Sequence, residues 1–240
     1  MSEGPDLDGR AFEGAGLSFW AQTLEIARVD LRVERRLGDT LRITLPFAVV
    51  ALIVFPLALG GRPALISRIG PAVFWALGAL FGTQVALRAS ATDTAERRDL
   101  HALLGVDPAA RFAGRAISGA VLMTALLAVL FPAMALLYGP DLPGGAWPTT
   151  LVASALFAVG LAELGTLAGE VTAGLRNRAP LASLIVAPLC LPLVIGASQA
   201  LEALALGAGI LPWTLLMLAT VLALAVAGVG LARPLEEATR

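Results

Sequence analysis

Six apolar runs, each close to the length that crosses a bilayer, divide this chain: Leu41–Leu59, Ile69–Leu87, Ile117–Tyr138, Thr150–Glu170, Ala179–Leu201 and Ile210–Ala232. About 20 apolar residues in helical form cover the hydrocarbon layer, so each run predicts one membrane-spanning helix. A different pattern precedes the first. Over Ser18–Leu37, Trp20, Leu24, Ala27 and Leu31 recur at intervals of three and four, while Glu25, Arg28, Arg32, Arg35 and Arg36 fall mostly elsewhere. Ser18 suits a helix start and Gly38 a helix stop. The spacing predicts an amphipathic helix over 18–38, lying in the membrane interface; the competing reading is a helix packed against other cytoplasmic parts. Residues 1–17 are rich in glycine and acids, contain no apolar core of a signal peptide, and read as a disordered cytoplasmic tail.

The longest polar interruption is the loop Arg88–Arg115, between the second and third runs. Within it Thr94–Leu104 is composed of good helix formers, with Asp93 or Thr94 as the cap. Leu100, Leu103 and Leu104 share one face, ringed by Arg97, Arg98 and His101, and Glu96 and Asp99 complete the charged set. Asp107-Pro108 ends the segment, because proline disfavours helical geometry in the residue before it. Two readings compete: a solvated connector, or a short surface helix that docks a soluble partner. Connectors usually need only a few residues, and the length favours docking.

Composition agrees with the pattern. The chain is 58% hydrophobic and 15% charged, with a mean hydropathy of +0.82; soluble domains run near 45–50% apolar and about 25% charged. This is an all-α, six-span integral membrane protein. All 17 basic residues are arginine, which excludes a lysine-containing phosphate-binding loop, so any ATP must be bound by another chain. No basic cluster is dense enough for nucleic acid. The single Cys190 excludes a disulfide framework, and the single His101 excludes Ser-His-Asp hydrolysis or a histidine metal cluster. The chain is therefore read as no enzyme, with no cofactor of its own.

The arginines also set an orientation. Six lie in the segment up to Arg42, five in Arg88–Arg115, two in Arg176–Arg178 and two after Ala232, against Arg62 and Arg68 alone on the other side. By the positive-inside rule both termini and the long loop are cytoplasmic. Residues 39–233 then form the transmembrane domain, with 88–115 as its coupling loop and 234–240 as a cytoplasmic tail. Trp75, Trp147 and Trp213 are placed for an outer aromatic belt, unless each is simply packing.

Inside the spans, Pro46, Pro56, Pro132, Pro188 and Pro192 predict bends, and Gly78-xxx-Gly82 and Gly165-xxx-Gly169 predict close helix contacts. Glu163 and Glu170, seven residues apart, share nearly one helical face. Buried intramembrane acids are costly and commonly face a cavity or a partner. One reading is that they line a path or seat another subunit; the other is that Glu163 hydrogen-bonds Thr166 or Gln84 and Glu170 emerges at the cytoplasmic surface. Gln84 itself is a candidate subunit contact or an inter-helix hydrogen bond.

This layout resembles ABC-2-type exporter permeases, and within them the heme exporter protein B family, the permease subunit of bacterial cytochrome c maturation. The residues that carry the resemblance are Phe55-Pro56-Leu57-Ala58-Leu59-Gly60, Arg68-Ile69-Gly70-Pro71 with Trp75, Gly165, Gly174-Leu175-Arg176, and Ala187-Pro188-Leu189-Cys190-Leu191-Pro192. The resemblance spans roughly Phe19 to Leu201. It implies a separate ATP-binding subunit, a heme-handling membrane partner with a Trp-rich motif, a small single-span subunit and a heme chaperone whose release ATP hydrolysis drives. Heme is then a substrate of the complex. In the family the loop after span two starts Gly-Ser-Leu-Glu-like and ends Leu-Pro-Leu-like; here Glu96-Arg97-Arg98-Asp99-Leu100-His101 and Gly105-Val106-Asp107-Pro108 stand instead, which implies a divergent ATPase partner. The alternatives are a related permease exporting a lipid, glycan or drug, or a non-transporting assembly scaffold.

Overall fold

A computed structural model describes residues 18–60, 62–91, 95–140, 146–173, 175 and 178–238. Among the described residues every regular element is helical: α1 (Phe19–Leu37), α2 (Asp39–Ala58), α3 (Pro63–Ala91), α4 (Ala95–Leu103), α5 (Pro108–Tyr138), α6 (Ala146–Val171), α7 (Arg178–Leu189), α8 (Leu191–Ala205) and α9 (Leu211–Ala238). Six segments are long and apolar enough to cross a membrane: α2, α3, α5, α6, the joined α7–α8 and α9. The predicted count holds, but the helices run further than the apolar runs. The third starts at Pro108 rather than Ile117, and the second extends from Pro63 to Ala91. Polar helix ends had been read as loop, so the linker between α3 and α5 is correspondingly shorter than 88–115.

Packing makes α6 the axis of the bundle, in contact with α3, α5, α7, α8 and α9. Missing side chains create those approaches. A Cβ on Gly165 would lie 3.0 Å from Ala86 Cα on α3, one on Gly119 would meet Ala162 at 3.1 Å, and one on Gly160 would meet Leu193 of α8 at 2.7 Å. Gly82 likewise leaves room for Leu161. Both predicted glycine pairs thus contribute at least one residue to a helix crossing.

The core is led by Trp75, Phe74, Phe157, Leu52, Met123, Leu126 and Leu161, all fully buried. Trp75 therefore is not part of an aromatic belt. Its ring packs on Phe74 at 4.8 Å and Phe157 at 5.4 Å, because the mass of an indole is worth more in the core than at a rim. Trp147 is exposed, in edge contact with Phe131 at 5.2 Å, and Trp213 is half-buried. Tyr138 closes one end of α5: its hydroxyl donates to Leu52 O at 3.0 Å, tying α5 to α2. The fifth span is broken at Cys190, between Pro188 and Pro192.

Candidate functional site

The described chain ends, α1, α4 and the polar residues of α5 and α6 meet at one end of the bundle. There α1 begins with Ser18 Oγ accepting from Ala21 N at 3.4 Å, and stops at Gly38, whose φ of 65° is left-handed. Glu34 reaches past that stop: its Oε1 accepts from Thr40 N at 3.0 Å and its Oε2 from Thr40 Oγ1 at 2.9 Å. One carboxylate thus locks the angle between α1 and the first span by capping α2.

The face α1 buries differs from the predicted stripe. Gln22, Thr23, Ile26 and Ala27 are buried against α5, and only Ala27 belongs to the predicted set. Trp20 is 67% and Leu24 46% exposed, while Leu31 is partly buried. The reason is a hydrogen bond that hydropathy does not see: Gln22 Oε1 accepts from Asp107 N at 2.9 Å. Gly114 makes the approach possible, since a Cβ there would stand 2.7 Å from Thr23 O. The outward Trp20 and Leu24 remain available to an interface, with Arg28, Arg32, Arg35 and Arg36 all exposed around them.

The predicted surface helix exists as α4, Ala95–Leu103. Its start, Asp93 and Thr94, lies outside the described residues, as does the side chain of Glu96. Arg97 does not point to a free surface; it forms an ion pair with Asp30 of α1. Arg98 and His101 are half-buried, Asp99 is exposed and Leu104 partly buried. Leu100 and Leu103 face out, 55% and 85% exposed. So α4 is clamped to α1 by charge and presents two leucines away from the bundle.

Asp107 joins the parts. Its Oδ1 caps α5 by accepting from Ala109 N at 3.0 Å, and its Oδ2 accepts from Arg233 of α9 at 3.0 Å. Burial pushes this carboxyl up, but the Arg233 guanidinium and the Ala109 N–H outweigh it and hold it below its ordinary value.

Beneath α1 and α4, a polar seam runs into the bundle between α5 and α6. Arg111 and Arg115 are 4% and 7% exposed, and Arg111 Nη2 lies 4.0 Å from Glu170 Oε1. Glu170 is therefore buried, not emergent at the surface. A crevice of about 40 Å³, room for a few waters, opens among Asp30, Glu34, Arg97, Arg115, Ser118 and Thr166. Two turns deeper on α6 stands Glu163, 7% exposed, with neither a hydrogen bond nor an ion pair to any described residue. The expected partners are not there. Thr166 Oγ1 donates to Ala162 O at 2.9 Å, and Gln84 is exposed on α3. No group of three or more metal-binding side chains occurs among the described residues.

The sequence matches a known family. A family model described as CcmB protein covers residues 21–237. The chain belongs to that family. Curated relatives named Heme exporter protein B include one from Paracoccus denitrificans, 31% identical over 82% of this chain and 88% of the relative. One from Haemophilus influenzae is 30% identical over 75% and 81%, and one from Bradyrhizobium diazoefficiens 28% identical over 76% and 82%. With six membrane-length segments and these relatives, the chain is a multi-pass protein of the bacterial inner membrane.

Four residues of this CcmB-family site escaped the sequence reading. Asp30 and Glu34 carried no expectation, and Arg111 and Arg115 counted only among the charges of the loop Arg88–Arg115. The available signal was periodicity: two arginines four apart beside two glutamates seven apart, each pair on one face of its own helix.

Proposed function

We propose that this chain is the permease subunit of an ABC-type complex for heme delivery or export in cytochrome c maturation, worked by ATP hydrolysis on a separate subunit. The names of the relatives support the heme assignment. The lysine-free sequence, with no phosphate-binding loop, supports a separate ATPase. The observation that carries the coupling is α4: a helix fixed to α1 through Arg97 and Asp30 that turns Leu100 and Leu103 outward. Exposed leucines on an anchored surface helix are what a docking partner needs, since apolar area buried on contact supplies the adhesion and the anchor transmits force.

Arginine asymmetry supports a cytosolic position for this end. Nucleotide-driven closure of the partner then pushes α4, and the push passes through Asp30 to α1, and through Gln22 and the Gly114 contact to the start of α5. Coupling of this kind is a mechanical bias between two states. The cargo steps belong to other members of the complex: a heme-handling membrane partner with a Trp-rich motif, a heme chaperone released by the ATPase cycle, and a small single-span subunit. Tyr138, the only tyrosine, commits its hydroxyl to Leu52 O, which supports a chain that does not itself ligate heme iron.

The double substitution Leu100→Asp with Leu103→Asp is expected to abolish co-purification of the ATPase in mild detergent while leaving membrane insertion and abundance unchanged. Retention of the ATPase at wild-type ratio overturns the docking role. Charge reversal at Arg97 acts differently, by releasing α4 from α1: the ATPase is still captured, but cytochrome c maturation falls.

A further inference from the structure

Glu163 has no task in the scheme above. It is a carboxyl group in the middle of a helix that packs against five others, and it touches no hydrogen-bonding or charged partner among the described residues. Its neighbourhood shows what it is for. Helices α5 and α6 run antiparallel, and two contacts fix their register: Arg111 beside Glu170, and Gly119 beside Ala162, eight residues further along each helix. That register sets Arg115 level with Thr166, with which it lines the same crevice, and sets Ser118 level with Glu163. At 1.5 Å per residue, Arg115 lies about 4.5 Å short of Glu163 along the shared axis. That offset is slightly less than one helical turn, the size of step by which packed helices ratchet past one another.

We propose that Glu163 is the second station of the α5–α6 seam: in the nucleotide-driven state α5 advances by about one turn and the Arg115 guanidinium pairs with the Glu163 carboxylate. The direction fits the linkage, because Asp107 and the α1 contacts at Gln22 and Gly114 reach α5 in its first two turns, whereas α6 packs against five other helices. The surface between the two helices suits a slide. Ser118 and Gly119 on α5 are small and buried, and Ala162 of α6 meets Gly119. The moved state gives the buried Glu163 a countercharge, which removes a cost in a membrane, but it draws Arg111 away from Glu170, so the nucleotide cycle has to drive it. Glu163 is thus a positioning residue that holds the driven state and touches no cargo.

The inference rests on the permease reading, and its test separates the two. The complex is purified from membranes with its bound subunits and treated with dicyclohexylcarbodiimide, which modifies accessible protonated carboxyls in apolar surroundings. One sample is nucleotide-free and the other is trapped with ATP and vanadate. Absence of an ATPase from the purified complex refutes the permease reading itself. With the ATPase present, the adduct on Glu163, read by mass spectrometry, is expected to fall at least fivefold on trapping, and to vanish in both states in Glu163→Gln. Equal labelling in the two states, including none in either, overturns the second station. An independent arm uses function: Glu163→Gln is expected to insert at normal abundance and retain ATPase binding, but to lower holocytochrome c at least tenfold. Full maturation in that variant also overturns it.

Discussion

Single atoms decide much of this site. Gly165 carries no side chain because Ala86 Cα would sit 3.0 Å from its Cβ, on backbone that cannot step aside. Gly165→Ala is expected to destabilise by about 1–3 kcal/mol through overpacking, read as a lower melting temperature in detergent. Glu170 faces Arg111 at 4.0 Å with both side chains buried. Glu170→Gln removes the countercharge of a buried guanidinium and is expected to cost about 3 kcal/mol or more, seen in the same melting assay. Asp107 gives a pH signature. Its carboxyl is held below the ordinary 3.8, so the stability it lends is complete above that value and is lost as pH falls through the lower, folded-state one. Acid titration of melting temperature should therefore show a drop below pH 3.8 in the native chain that is absent in Asp107→Asn, whose plateau lies lower throughout.

At the scale of elements, the hinge between α1 and α2 hangs on Glu34. Glu34→Ala removes two hydrogen bonds from Thr40 and is expected to cost about 1 kcal/mol, the worth of a helix cap. Hydrogen exchange localises it: the Thr40 amide should lose protection while the interior of α2 keeps it. The elements also mark where sequence reasoning stops. Six spans are legible because run length is a bulk property, set by bilayer thickness and indifferent to detail. The interior of the site is not legible from hydropathy alone. Gln22 and Thr23 count as polar, yet they are buried because α5 offers a backbone N–H to Gln22 and a glycine to approach. Arg111 and Arg115 count as loop, yet they belong to a helix whose opposite number carries glutamates. Trp75 sits where a belt residue would, and the core claims it. In each case a tertiary partner reverses a local preference, and the partner is far away in sequence.

For the whole molecule, the arrangement sorts helices by exposure. In α6 most of the spanning window is buried, whereas α2 shows Phe47, Val50, Val54 and Leu57 outward and α9 shows Leu215, Leu222 and Val226. Those outward side chains are apolar, as contact with hydrocarbon or with a neighbouring subunit requires. The orientation can be read directly. In a Cys190→Ala background, Leu103→Cys is expected to react with a membrane-impermeant thiol reagent in inverted vesicles and not in intact spheroplasts. The reverse pattern would put α4 on the far side and end the coupling scheme. One structural detail has a mechanical outcome at this scale. The fifth span is two rods joined at Cys190, with α7 leaning on α3 and α6, and α8 also on α9. With prolines on either side, the joint forgoes part of the usual ladder of amide bonds. In a bilayer of different thickness, this elbow is where the fifth span can change its length by bending.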